Sequence, residues 1–170
     1  AIAAASVEPT LVILCQFSDW AGTTTQASWD SAMFGPYVVG ARSHRDYFHE
    51  VSYYQAGVSG LDLPPAAETS APNDNGVVGW YDLSWLDTQT LITHTTHPCT
   101  VYGSGWEGKA GEWIAVAAIN AADADVNFAA FDLNGDGFIS SNELHITIIL
   151  AGYEASYVNN PQPDTWRQHA

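Results

Sequence analysis

Asp132-Leu-Asn-Gly-Asp-Gly-Phe-Ile-Ser-Ser-Asn-Glu143 runs directly into Leu144-His-Ile-Thr-Ile-Ile-Leu150, and the join between the two sets the architecture of the chain. Asp132, Asn134 and Asp136 place side-chain oxygens at positions one, three and five of a twelve-residue loop. Gly137 permits a sharp turn at six, Phe138 offers its carbonyl at seven, and Glu143 brings two oxygens at twelve. Carboxylates this crowded repel one another unless a cation neutralises them, and an all-oxygen donor set suits calcium better than a soft transition metal. Calcium is therefore the expected cofactor, held by Asp132, Asn134, Asp136, Phe138 and Glu143. After the loop, Leu144, Ile146, Ile148 and Leu150 alternate with His145, Thr147 and Ile149 in a β-branched run that prefers a strand. A calcium sensor of the paired-helix kind needs a helix at that point. The order helix, metal loop, strand makes this an EF-hand-like loop used as a structural clip.

Upstream of the loop, residues 111–128 are rich in Ala, with Trp113, Ile114, Ala117, Ala118 and Ala121 spaced for one helix face. Near the start, Leu-Val-Ile-Leu-Cys-Gln-Phe at 11–17 is a short apolar run ended by Ser18 and Asp19, as in a buried strand. Ser43 is a cap candidate for a helix over 43–54, where Tyr47, Phe48, Val51 and Tyr54 recur at helical spacing. Residues 57–63 and 76–83 suit two strands around the turn-forming Pro64, Pro65, Pro72 and Asn73-Asp74-Asn75-Gly76. The polar stretch 93–108 suits a further loop, and Asn159, Asn160, Pro161 and Pro163 break regular structure after Tyr157. The expected fold is α/β, a single domain over 1–170 with a twisted mixed sheet. Its strands lie near 11–17, 77–83 and 144–150, and its covering helices near 43–54 and 111–128.

With 170 residues, 46% of them hydrophobic, the chain can bury a core. Nineteen acidic residues face only Arg42, Arg45, Lys109 and Arg167, a formal charge of −15. That charge repels nucleic acid and anionic membrane surfaces and leaves cations as partners. No apolar run approaches the roughly 20 residues of a membrane helix. The start, Ala1-Ile2-Ala3, has neither Met nor a charged signal region, as in a processed N-terminus. Such loops are useful where calcium is plentiful, which with scarce lysine points to a secreted, extracellular protein. Cys15 and Cys99 permit one disulfide, or an inert buried thiol at Cys15.

Taken in order, these segments resemble the front half of the secreted immune inhibitor A-like zinc metallopeptidases. Residues 12–19 resemble that family's opening strand, which ends Phe-Ser-Asp. Residues 45–55 are similar to its Arg-x-Tyr-Phe-x-Glu-Val-Ser-Tyr helix. Gly79-Trp80-Tyr81 resembles the following strand, and the acidic loop its metal loop. Residues 148–152 resemble the strand ending Ala-Gly, and 165–169 the Trp-containing segment. Tyr54 departs from the family's Gly, and 140–143 are additional residues that make the loop unusually complete. The resemblance implies a zincin-like N-terminal subdomain of a secreted endopeptidase that cleaves protein or peptide substrates. The family's zinc-binding His-Glu-x-x-His follows the Trp-containing segment, and this chain stops at Ala170 before it. Zinc is implied only with that downstream segment, and 1–170 alone is expected to be inactive. His49-Glu50 continues Val51-Ser52-Tyr53 and lacks the second histidine one helical turn on.

Other chemistries fit less well. His94, His97 and Cys99 lie close in sequence, but a closed zinc site wants further ligands. There is no Gly-x-Ser-x-Gly nucleophile elbow, and Gly103-Ser104-Gly105 lacks its context. Glu68, Asp74, Asp82, Asp87, Glu107 and Glu112 are the acids from which a glycosidase pair would be drawn. Trp20, Trp29, Trp85 and Trp106 could stack on sugars. They support the alternative, a non-catalytic calcium-stabilised binding module for glycans or proteins.

Overall fold

The computed structural model describes residues 5–36, 41–67, 75–87, 90–91 and 110–152. They fall into two compact units, one drawn from 1–12, 24–78 and 123–147, the other from 13–23, 79–122 and 148–170. The chain enters through β1 (Ser6–Val7) and β2 (Thr10–Gln16), in which Leu11, Val12, Ile13, Leu14 and Cys15 are all 0% exposed. A strand buried on both faces reads as a continuous apolar run rather than an alternating one, as in parallel sheets.

Helix α1 (Gln26–Phe34) follows, its first turn capped by Thr25, whose Oγ1 accepts the Ser28 N–H at 3.2 Å. Helix α2 (His44–Val51) begins at Ser43 with a reciprocal capping box. Ser43 Oγ accepts the Asp46 N–H at 3.1 Å, and Asp46 Oδ2 accepts the Ser43 N–H at 3.4 Å. Strand β3 (Leu61–Asp62) pairs parallel with β1, Ser6 opposite Leu61 and Val7 opposite Asp62. Then come β4 (Val77–Asp82) and an antiparallel pair, β5 (Trp85–Asp87) with β6 (Thr90–Leu91). Helix α3 (Ala110–Ala122), a 3-10 turn (Phe128–Phe131) and β7 (His145–Leu150) complete the described elements.

The three strands expected from their apolar runs lie in one sheet, ordered β4-β2-β7. Val12 donates to Gly76 O at 2.7 Å and Leu83 to Gln16 O at 2.8 Å. On the other side His145 donates to Pro9 O at 2.7 Å and Ala151 to Cys15 O at 2.8 Å. Residue numbers rise together across both pairs, so this sheet is parallel where a mixed one was expected. Among the described strands the antiparallel pair is the separate β5-β6 ribbon, with isolated antiparallel bridges at Phe17–Trp20 and Gln55–Ser59.

Other differences have local causes. The helix expected over 43–54 ends at Val51, and Tyr53 takes a left-handed φ of 53°. Tyr47 and Val51, expected as its apolar face, are 54% and 50% exposed, because this short helix turns Arg45 and His49 toward β3 instead. The strand expected over 57–63 shrinks to Leu61–Asp62, since Gly57 and Gly60 adopt φ of 70° and 84°. The helix expected to 128 stops at Ala122 before Asp123 and Asp125, acids that the negative C-terminal end of a helix disfavours. Among the described residues no helix is long and apolar enough to cross a membrane.

Candidate functional site

The acidic loop is built from its own backbone. Asp132 Oδ1 accepts the N–H groups of Gly135 (2.8 Å) and Asp136 (3.2 Å), and Oδ2 accepts that of Gly137 (3.0 Å). The chain thus wraps around the Asp132 carboxylate. Asn134 Oδ1 accepts the Asp136 N–H at 2.8 Å, and Asp136 Oδ1 accepts the Phe138 N–H at 2.9 Å. Such wrapping needs left-handed backbone at 135 and 137, and glycine occupies both, with φ of 73° and 83°.

Glu143 closes the loop on itself. Oε1 accepts the N–H groups of Leu133 (3.0 Å) and Asn134 (3.2 Å), while Oε2 accepts the Ser140 N–H and Oγ–H, both at 2.8 Å. The residue is only 7% exposed. The Ser140 amide, then its hydroxyl, and then the amides of Asn134 and Leu133 hold its carboxyl below the usual range, against an opposing effect of burial. All five expected ligand residues therefore lie in one closed turn, with Glu143 bound to the same end as Asp132. Asp132, Asp136 and Glu143 each rest on backbone amides rather than on one another. Among the described residues no three His, Cys, Asp or Glu side chains gather as a metal cluster. The donor chemistry, all oxygen and mostly anionic, fits a hard divalent cation, to which the amide dipoles are the electrostatic stand-ins.

A second cluster was not foreseen. Asp62 on β3, 6% exposed, receives Arg45 Nε at 2.6 Å and Nη2 at 2.8 Å. His49 Nε2 lies 2.6 Å from Asp62 Oδ1, and the Tyr54 hydroxyl donates to Oδ2 at 3.4 Å. The His49 and Tyr54 rings stack at 4.3 Å. The Arg45 hydrogen bonds, assisted by His49 and opposed by burial, hold the Asp62 carboxyl down at about 2. An ionised Asp62 only accepts, so His49 carries its donor proton on Nε2. Arg42, Asp46, His49 and Glu50 line an open groove of about 320 Å³, in which Arg42 pairs with Glu50. His49 and Glu50 therefore face different partners. The one legible hint was the spacing of Arg45 and His49, four apart on one helix face; nothing in the sequence pointed to Asp62.

Cys15 is a buried free thiol, pushed up to about 12 by burial, which removes it as a nucleophile. His94, His97, Cys99, Trp106 and the segment 165–169 lie outside the described residues. The fold and loop define an α/β protein whose acidic, all-oxygen turn leads into a strand of a parallel sheet. Compared with protein-family models, curated proteins and solved structures, the chain has no match.

Proposed function

We propose that this chain is the calcium-binding N-terminal portion of a secreted zinc endopeptidase, a zincin-like subdomain carrying an EF-hand-like loop. The observation that carries the calcium assignment is the closure of the loop, in which Asp132 and Glu143, eleven residues apart, accept the amides of 133–137. Asp132, Asn134, Asp136, Glu143 and the Phe138 carbonyl would hold the ion. Calcium, when bound, supplies the positive charge that the loop otherwise draws from amide dipoles. The peptidase assignment rests on the ordered sequence resemblance, from the strand at 12–19 to the Ala-Gly end of 148–152. Its zinc and catalytic residues belong to a downstream segment, and its substrate would be a protein or peptide.

Thermal unfolding with calcium and with chelator tests the first part. A ligand that binds only the native state adds about 2.7 kcal/mol at a hundredfold excess over Kd, so millimolar calcium is expected to raise Tm by several degrees. Asp132→Ala and Glu143→Ala should abolish that rise. Both should also start lower in chelator, having lost the carboxylates that satisfy three and four N–H or O–H groups. A wild-type Tm indifferent to calcium rejects the assignment. The coding sequence beyond residue 170 tests the second part. Without a downstream His-Glu-x-x-His the peptidase is lost, and a non-catalytic calcium-stabilised binding module remains.

A further inference from the structure

His44 is the first residue of α2, a place where a positive charge finds nothing to hold it. Its Nδ1 is buried without a hydrogen-bond partner among the described residues. The ring lies against Phe48 one turn on, with centroids 4.8 Å apart and planes at 56°. A neutral imidazole leaves at most one bare nitrogen there, whereas an imidazolium has two N–H donors and would bury a charged one unpaired. The helix adds to this cost. Its first turn carries the positive end of the dipole, which favours Asp46 at the third position and disfavours a cation at the first. Burial, and then His145 facing it from β7, hold the His44 imidazole below its ordinary range.

The other charges around this turn bring no relief. Glu8 accepts the Ser6 hydroxyl at 2.9 Å and lies 3.5 Å from His145 Nδ1. Asp62 on β3 is filled by Arg45 and His49, Asp46 accepts the Ser43 N–H, and Arg42 pairs with Glu50. Asp30, the one acid of α1, does not act on His44. We infer that the start of α2 is an acid-sensitive latch, closed while His44 is neutral and opened when His44 takes up a proton. Opening breaks the two first-turn bonds, Asp46 N–H to Ser43 Oγ and Tyr47 N–H to Ser43 O, both 3.1 Å, and lets the ring reach water. The folded turn prefers the neutral ring, so the latch holds fully above the ordinary histidine pKa of about 6.5 and weakens as pH falls below it. His49 works in the opposite sense, because protonation adds charge to a donor already bound to the ionised Asp62. The opening is therefore confined to the turn at Ser43 and His44, with Asp62 still holding Arg45 and His49.

Hydrogen exchange of the Asp46 and Tyr47 amides tests this between pH 7.5 and 5, a range in which ordinary carboxylates stay ionised. Wild type is compared with His44→Phe, whose ring keeps the contact with Phe48 and takes up no proton. After correction for intrinsic rates, the opening constant of both amides is expected to rise about two- to fivefold in wild type, the share of one charge at the wrong end of a helix, and to stay flat in His44→Phe. A flat wild-type profile overturns the latch, and so does an equal rise in both proteins, which would trace the opening to another group. An NMR titration of the His44 ring in wild type needs no variant. A ring that titrates below the ordinary histidine range supports the latch, and one that titrates at or above about 6.5 overturns it.

Discussion

Asp62 shows how one carboxylate can organise a segment. Four donors from three side chains converge on it, and its carboxyl is held at about 2 against an ordinary 3.8. A carboxyl more acidic in the folded than in the unfolded chain stabilises the fold above its ordinary pKa, and that stabilisation is lost as pH falls through the folded value. The window is therefore from about pH 4 down to about pH 2, and the amount about 2 kcal/mol. Asp62→Asn keeps the shape but removes the charge. It leaves Arg45 without its counter-ion, though Arg45 is partly exposed and water can solvate it, so the expected cost near pH 7 is about 2–3 kcal/mol. Urea unfolding of both proteins across acid pH should show the difference narrowing toward pH 2. A constant gap would mean that Asn is costly through its shape and not its missing charge.

The segment between α2 and β3 delivers Asp62 to Arg45 and His49, and it does so by backbone geometry more than by burial. Ser52 Oγ donates to Phe48 O at 2.6 Å and accepts the Leu61 N–H at 2.9 Å, joining the helix end to the strand. Gly60, at φ 84°, lies so close that a Cβ there would meet Tyr54 Cα at 2.5 Å and Ser52 O at 2.8 Å. Gly60→Ala is expected to cost at least about 2 kcal/mol, from left-handed strain and backbone overlap together, and to raise the apparent pKa of Asp62 as Arg45 is displaced. Denaturant unfolding measures the first and a carboxyl NMR titration the second. None of this turn was legible beforehand, whereas β2 was, as a contiguous apolar run whose burial follows from its own composition, and β4 and β7 were, because β-branched and aromatic residues dominate them. The Ser43 cap was legible for the same reason, its partner being three residues away. Helix α1 was not, since it buries only Met33 and carries no apolar period. The five residues proposed as ligands could be picked out together because all of them fall within twelve residues. Asp62 could not, because its partners Tyr54, His49 and Arg45 are 8, 13 and 17 residues distant with no motif linking them, and only the fold brings them together.

Across the whole chain the imbalance of nineteen acids against four Lys and Arg residues acts on every cation that approaches. Of those four, Arg45 is committed to Asp62 and Arg42 pairs with Glu50, so little positive charge remains to offset the field around the loop. A surface of one sign draws counter-ions toward it, and a divalent ion is drawn twice as strongly as a monovalent one. On the proposed calcium assignment, this long-range share of the affinity would be screened by salt, with a Debye length of about 30 Å at 0.01 M and about 3 Å at 1 M, whereas direct coordination by Asp132, Asp136 and Glu143 would be screened far less. Calcium Kd is therefore expected to rise about tenfold between 0.01 M and 0.5 M KCl and to change little with further salt. Calorimetric titration at constant pH across that range measures it. A Kd independent of KCl would place all of the affinity in the twelve-residue loop and leave the acidic remainder with no part in ion capture. A Kd that continued to weaken steeply above 0.5 M would instead indicate potassium competing for the loop oxygens themselves.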